Sequence, residues 1–577
     1  MSQALTPLAG LLELADQDPD VPVVIDKRFG RWRPRTRGDL VAEVAALRAS
    51  LQANGAGSGV TVLNAMPDRF EWLVVDLAVQ AAGSRLCPVP SDAPDRLLAD
   101  AIRLSGATIV MAPGQDFVDR LLTLEETGQI ERVVRIVYQE TAGLTEYDEP
   151  RLISLHELRS FGQDGEPMAE LRAAVERLSP DDEAVIAISA GVEGDPRVSA
   201  LTRGSLLAAS RASIDAFGLG PKDRVLAYRP LSDPTERTTT IYPSMLSGAL
   251  LALSETRADV RAAMYEIAPT FVHLTSRLVD GVVTDVMVRL RASRGLKGLI
   301  TKRWLASNRG DEPKAPGLLD RLLVTFPVLE KLGLDRARAV VVSGSELSPG
   351  VRRRMASLGL PIRTAFATSA VGGVVTLSEP GDVRPGACGA PLNAFGIDVT
   401  EDGELVIDGP GTASTIRTGD AARLVDGQLL LEGRLSERIS LDDGGSVSLL
   451  EIESALRSSP YIREAVVARQ DDGSTVAVVE LAEGTTARWA SEQDLAFVTY
   501  RSLVALPEVL DFARREVDEV LASTPLRSAD EVRILPVRLE SIDGALVSGE
   551  KLRRDVVIAA GLKEADETAT RSSATAT

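Results

Sequence analysis

The twenty residues from Ala187, AISAGVEGDPRVSALTRGSL, have the glycine spacing and single proline of a loop that wraps a polyphosphate. Backbone amides in such a loop converge on an anion. Gly191, Gly194 and Pro196 supply the path, Ser189 a hydroxyl and Arg197 a cation. Ala190 and Val192 bring no hydroxyl, and Glu193 places a carboxylate where phosphate oxygens would sit. Like unit charges about 4 Å apart repel by roughly 4 kcal/mol at an intermediate dielectric, so Glu193 fits only if it points outward. An ordinary surface turn is the alternative reading. A second glycine-rich stretch, GAGSGV from Gly55, follows a helical pattern and precedes a strand. That is the wrong order for a dinucleotide loop, and it reads as a linker. The two histidines, His156 and His273, exclude a multi-histidine metal site and leave little for serine–histidine–aspartate chemistry. Each is expected to be structural or at the surface.

The elements that must carry these residues alternate. DLVAEVAALRASLQANG has a helical apolar stripe ending at Gly55, VTVLNAMP reads as a buried strand, RFEWLVVDLAVQAAG as a helix, RLCPVP and ATIVMAP as strands. Repeated units of this kind predict an α/β fold with mostly parallel sheets covered by helices. The pattern resumes at EAVIAISAG, RVLAYRPLS and ARAVVVSGSELSP. From about Gly386, short strands with Asp-Gly turns predict a small β-rich subdomain. Beyond Arg434 a helix, a hairpin and another helix predict a compact α+β unit hinged near Gly433. The expected domains are 1–432, 433–560 and a disordered tail, 561–577.

Composition narrows the function. The 577 residues carry 64 Lys plus Arg against 83 Asp plus Glu, a net charge of −19. That balance disfavours nucleic acid as a main partner and weakens electrostatic docking on anionic membranes. No apolar run is long enough to span a bilayer, and the acidic N-terminus lacks a secretory pattern. Two distant cysteines, Cys87 and Cys388, are expected to be reduced thiols in a cytoplasmic protein.

The ordered pattern from about Val23 to Val557 resembles the acyl-adenylate-forming, AMP-binding superfamily, in its long-chain fatty acyl-CoA synthetase branch. The resemblance rests on ERTTTIYPSMLSGALLAL, VVVSGSELSPGVRRRMASLGLPI, VVTLSEPGDVRPGACGAPL, RTGDAARLVDGQLLLEGR and IDGALVSGEKLRRDVV. PTFVHLTSRLVDGVVTDVMVRLRASRGLKGLITKRWLA is similar to the long-chain branch's insertion. The resemblance implies a large N-terminal domain and a small mobile C-terminal one. It implies an acyl-AMP made from a fatty acid and Mg-ATP, then acyl transfer to coenzyme A. By position it implies Asp420 as the ribose carboxylate, Arg434 as the ribose and phosphate contact, and Phe366 as the aromatic face for adenine. Ser189, Gly191, Gly194, Gly344 and Ser369 fall in the nucleotide-binding stretches. Lys551 takes the C-terminal lysine position and Arg197 the cation of the phosphate loop.

The departures are lopsided. Against the family loop, Ala190, Val192 and Glu193 replace hydroxyl residues, Arg197 replaces lysine and Val198 replaces glycine. In AFATSAVGG the family's Mg²⁺-binding glutamate is Ala370, and Asp233 in PLSDP stands where relatives often have histidine. These losses fall on Mg²⁺ and the β- and γ-phosphates, so no metal ligand is assigned. Two readings follow. One is a long-chain fatty acid–CoA ligase with much-reduced adenylation, in which another carboxylate such as Glu193 takes the metal. The other is a catalytically inactive member that binds AMP, an acyl chain or an acyl-adenylate and serves as regulator or partner of an active synthetase.

Overall fold

The computed structural model describes residues 6–562 apart from 162–164, 190–195, 292, 308–315, 346, 348, 383, 385, 412–414, 441–445, 471, 543–544 and 548–550. The expected tail therefore lies almost wholly outside the described residues.

Strands Thr61–Asn64, Arg85–Pro88 and Ala107–Ala112 are buried at nearly every position, which suits a sheet covered on both faces. They form the middle of a seven-stranded sheet that runs parallel until its last hairpin, Glu183–Ser189 with Arg197–Thr202. A thirteen-stranded sheet lies beside it. Its parallel centre is Leu250–Leu253, Arg224–Ala227, Phe271–Thr275, Ala339–Ser343 and Ile362–Thr368. From Ile362–Thr368 the sheet continues antiparallel through the β-rich stretch and ends at Gly396–Val399. The α/β class with parallel sheets and a β-rich extension is what the alternating pattern predicts.

Helix Phe70–Ala81, from the first layer, meets helical turn Arg237–Ile241, from the second, through a buried ion pair. Arg237 and Asp76 are both essentially inaccessible. Tyr242 donates to Asp76 Oδ2 at 2.8 Å, and Gln80 donates to Asp76 Oδ1 at 2.8 Å. The guanidinium also lies 5.4 Å from the Trp72 ring centroid, a favourable cation–π position.

A second unit begins after strand Gln428–Arg434. Gly433, at φ +105°, carries that strand past Ser448, whose hydroxyl a side chain here would strike at 2.3 Å. One turn, Leu435–Glu437, leads into separate sheets with their own cores. Hairpin Ile462–Arg469 with Thr475–Leu481 is antiparallel, as its sequence predicts. The last described helix, 554–562, packs Val557 into this unit. Arg554 holds it there. The guanidinium pairs with Glu453 and Glu437 and donates to the Val467 carbonyl at 2.8 Å.

The two parts meet in an ionic cluster. Arg277 and Arg457 each bond Glu464 at 2.9 Å. Beside them Asp280 Oδ1 is buried without a hydrogen-bond partner. Burial pushes the Asp280 carboxyl up to about 7, with Arg457 and Arg277 opposing and Glu464 reinforcing. A carboxyl whose folded value exceeds its unfolded one of about 4 stabilises fully below that value and loses the contribution as pH rises to 7. Asp280→Asn should therefore match the wild type at pH 4 and gain on it above, by up to about 1.4 kcal/mol per pH unit until pH 7. Urea unfolding at pH 4, 6 and 8 checks this. A wild type more stable than the variant at pH 8 would mean the arginines hold Asp280 ionised.

Candidate active site

Parallel strands that end together leave a crevice at their carboxyl edge, the usual ligand position in open α/β sheets. Here the edge is formed by residues following Ala227, Leu253, Ser343 and Thr368. A polar cleft of about 200 Å³ opens at this level, lined by Asp68, Arg69, Tyr228, Arg229, Ser254 and Arg257 among others. Asp68 accepts from the Leu231 amide at 3.0 Å, and burial pushes its carboxyl up to about 6.

Behind Arg229 lies a buried polar chain. Ser343 Oγ is 2.7 Å from His273 Nε2, and His273 Nδ1 is 3.3 Å from Glu236 Oε2. Arg229 donates to Ser343 Oγ at 3.2 Å and to Asp233 at 2.7 Å. Asp233 also caps the next helical turn by accepting from the Thr235 amide at 2.9 Å. This is the connectivity of serine–histidine–carboxylate sites, but Ser343, His273 and Glu236 are all buried. Burial and the neighbouring Arg229 hold the imidazole well below its ordinary range, so it is neutral. His156 is at the surface. Composition counts two histidines; only the fold reveals that one of them joins residues 37 and 70 positions away. Asp68, Arg229 and Arg257 were likewise invisible as a group, since no local spacing links them.

The nucleotide candidates divide into those the fold brings together and those it leaves apart. Asp420 and Arg434 face each other across antiparallel strands, with side chains 3.2 Å apart. Arg434 also donates to the Thr418 carbonyl at 3.0 Å, which fixes its direction. Asp420 thus presents a partly buried carboxylate, already oriented by Arg434. Gly344 directly follows strand Ala339–Ser343, on the same edge as the cleft. Phe366 is 8% exposed and packs with Ala209, Val375 and Phe395. Its ring is chiefly core, with little face bared to a ligand.

Ser369 and Ala370 form a half-buried turn in which the Ala370 amide reaches Thr368 Oγ1 at 3.3 Å. Thr238 donates to the Gly372 carbonyl in this turn at 2.6 Å. Leu201 lies so close to Gly372 that a Cβ would clash at 2.6 Å, which draws the Arg197–Thr202 strand to the same turn. Arg197 is exposed, and its backbone pairs with that of Ser189 where the hairpin opens. Gly191 and Gly194, with Glu193, lie outside the described residues. Lys551 begins a short strand whose backbone pairs with Val547 in the second unit.

At position 370 the turn has a methyl group, so it offers a metal hydroxyl and carbonyl oxygens but no carboxylate there. Among the described residues no group of three or more His, Cys, Asp or Glu is placed to hold an ion. Cys87 and Cys388 are buried and not disulfide-bonded, and burial pushes the Cys87 thiol up to about 12. No described helix is long and apolar enough to cross a membrane.

The two-sheet fold with a carboxyl-edge cleft and a small second unit matches the architecture of solved adenylate-forming ligases. The family model described as AMP-binding enzyme matches residues 11–416, and the chain belongs to that family. It is 25% identical to the long-chain-fatty-acid–CoA ligase FadD15 of Mycobacterium tuberculosis, over 95% of this chain and 94% of the relative. It is 23% identical to the peroxisomal long chain acyl-CoA synthetase 7 of Arabidopsis thaliana, over 92% of this chain and 80% of the relative. The anthranilate CoA ligase AuaEII, solved with anthranoyl-AMP, superposes with a TM-score of 0.70 at 14% identity, covering 98% of this chain and 99% of that one. A benzoate CoA ligase from Burkholderia xenovorans LB400 gives 0.68 at 17% identity, covering 95% and 99%. These structural likenesses concern the fold.

The buried chain gives a direct expectation. His273→Ala removes one hydrogen-bond partner each from Glu236 and Ser343 and leaves a cavity in the core, so it should destabilise by about 2–3 kcal/mol. The wild type, whose imidazole resists protonation when folded, should lose stability as pH falls below about 6.5. His273→Gln should lack that acid-side loss. Urea unfolding from pH 5 to 7.5 reads both effects, and an identical acid slope in wild type and His273→Gln would refute the assignment.

Proposed function

We propose that this chain is an AMP-forming long-chain fatty acid–CoA ligase by descent whose adenylation step is much reduced. The observation that carries this reading is the combination of an oriented Asp420–Arg434 pair with a methyl group at position 370. The pair suits a ribose. Asp420 accepts from sugar hydroxyls while Arg434 contacts phosphate. Lys551, in the second unit, supplies the cation for charge that develops between the acyl carboxylate and the α-phosphate. Near-full-length similarity to long-chain ligases supports the acyl substrate and coenzyme A.

The triphosphate tail is the weak point. Removing one preorganised charge-stabilising group costs about 3–4 kcal/mol, or roughly 10²- to 10³-fold in rate. Ala370 and Glu193 both strike departure of pyrophosphate. The second reading, a non-catalytic binder of AMP or acyl-adenylate, is favoured by the same two residues. In either case residues 1–432 act as the nucleotide- and acyl-binding domain, with 433–560 moving relative to it.

A thermal-shift panel tests the proposal. AMP and a non-hydrolysable acyl-AMP should raise Tm, by about 2.7 kcal/mol of stabilisation at a hundredfold excess over Kd. Mg-ATP should raise it far less; equal stabilisation by Mg-ATP would overturn the reading. Asp420→Asn should weaken AMP binding roughly 10-fold or more, in line with loss of charged hydrogen bonds. The double substitution Ala370→Glu with Glu193→Thr should increase fatty-acid-dependent pyrophosphate exchange at least tenfold. Measurable exchange in the wild type separates the slow ligase from the inactive binder.

A further inference from the structure

Helix Ser276–Arg291 leaves the large sheet directly after strand Phe271–Thr275. Three consecutive residues at this junction touch three different places. The Thr275 amide donates to the Tyr228 hydroxyl at 2.8 Å, in the wall of the polar cleft. Ser276 Oγ donates to the Ser345 carbonyl, beside Gly344. Arg277 reaches outward to Glu464 of the second unit. The junction thus ties the carboxyl-edge cleft and the stretch after strand Ala339–Ser343 to the second unit.

The contact with the second unit is ionic. Glu464 spans two guanidiniums, Arg277 through Oε2 and Arg457 through Oε1, each at 2.9 Å. Asp280, one turn after Arg277, completes the group. Its Oδ1 is buried with no hydrogen-bond partner among the described residues. Of the charges facing Asp280, Arg457 and Glu464 from the second unit weigh more than Arg277 on its own helix. Other charges close by are engaged elsewhere. Glu453, which also faces Arg457, is paired with Arg554, and Asp285 is paired with Arg261. Asp280 is thus a carboxyl buried where the two units meet.

Separating the units would expose Asp280 to water, where a carboxyl titrates near 4. In the docked arrangement it titrates at about 7, because burial penalises the charged form. Docking therefore takes up a proton between about pH 4 and pH 7. It is strongest below about pH 4, weakens by up to about tenfold per pH unit as pH rises, and levels off above about 7. While Asp280 is neutral, Glu464 alone sits between the two guanidiniums. Once Asp280 ionises, a second charge is confined at the contact, and release to water relieves it.

We propose that Arg277, Asp280, Arg457 and Glu464 form an acid-closed latch between the two units, docked while Asp280 holds a proton and released when the proton is lost. The latch rests on the mobility of 433–560 in the reading above, and not on whether adenylation proceeds. Förster transfer in the full chain tests it. Donor and acceptor dyes go on Val134→Cys and Val498→Cys, positions 62% and 93% exposed, while the buried Cys87 and Cys388 stay unlabelled. Without ligand, the ratio of docked to released molecules should fall at least tenfold from pH 5 to pH 8. Asp280→Asn, which cannot ionise, should stay docked across that range. Arg277→Gln should lower the ratio at least tenfold at pH 5. A transfer efficiency that does not change with pH in the wild type overturns the latch, and so does a pH response that Asp280→Asn retains. The thermal shift with AMP, measured on the same labelled chain, keeps the two readings apart. AMP binding with a pH-invariant distance overturns the latch alone, and a pH-dependent distance without AMP binding supports the latch while overturning the nucleotide reading.

Discussion

The pairing of Arg237 with Asp76 is the constraint on which the rest of the molecule depends. It joins the helical covers of two sheets at a point where neither charge meets solvent. Removing one partner of such a pair leaves an uncompensated buried ion, at about 3–5 kcal/mol. The pair also fixes the turn that contains it. Glu236, one residue earlier, is thereby aimed at His273, and Asp233 at Arg229. A structural ion pair in one layer thus sets the geometry of the polar chain behind the cleft.

Much of the architecture was legible because buried parallel strands have an unmistakable local texture. VTVLNAMP and ATIVMAP became Thr61–Asn64 and Ala107–Ala112, and the Asp-Gly turns announced the antiparallel extension. Family order then located Asp420 and Arg434, which the fold sets face to face. The chain His273–Glu236–Ser343 was not legible, since its members belong to three separate elements and no periodicity connects them. Phe366 shows a different limit. Residue type identifies an aromatic, but only packing shows how much of its face is bare.

Bulk charge was the least informative quantity. A net of −19 argued against anionic surfaces, yet residues 286–310 contain seven Lys or Arg and no Asp or Glu. Averages over several hundred residues erase a patch smaller than a screening length matters to.

The anchoring of Arg554 ties the last described helix to the start of the second unit. Glu453 and Glu437 are buried, and one guanidinium from a helix 101 residues beyond Glu453 pairs with both. Removing Arg554 would take a counter-ion from two buried carboxylates at once, so that helix is part of what closes this core rather than an appendage to it.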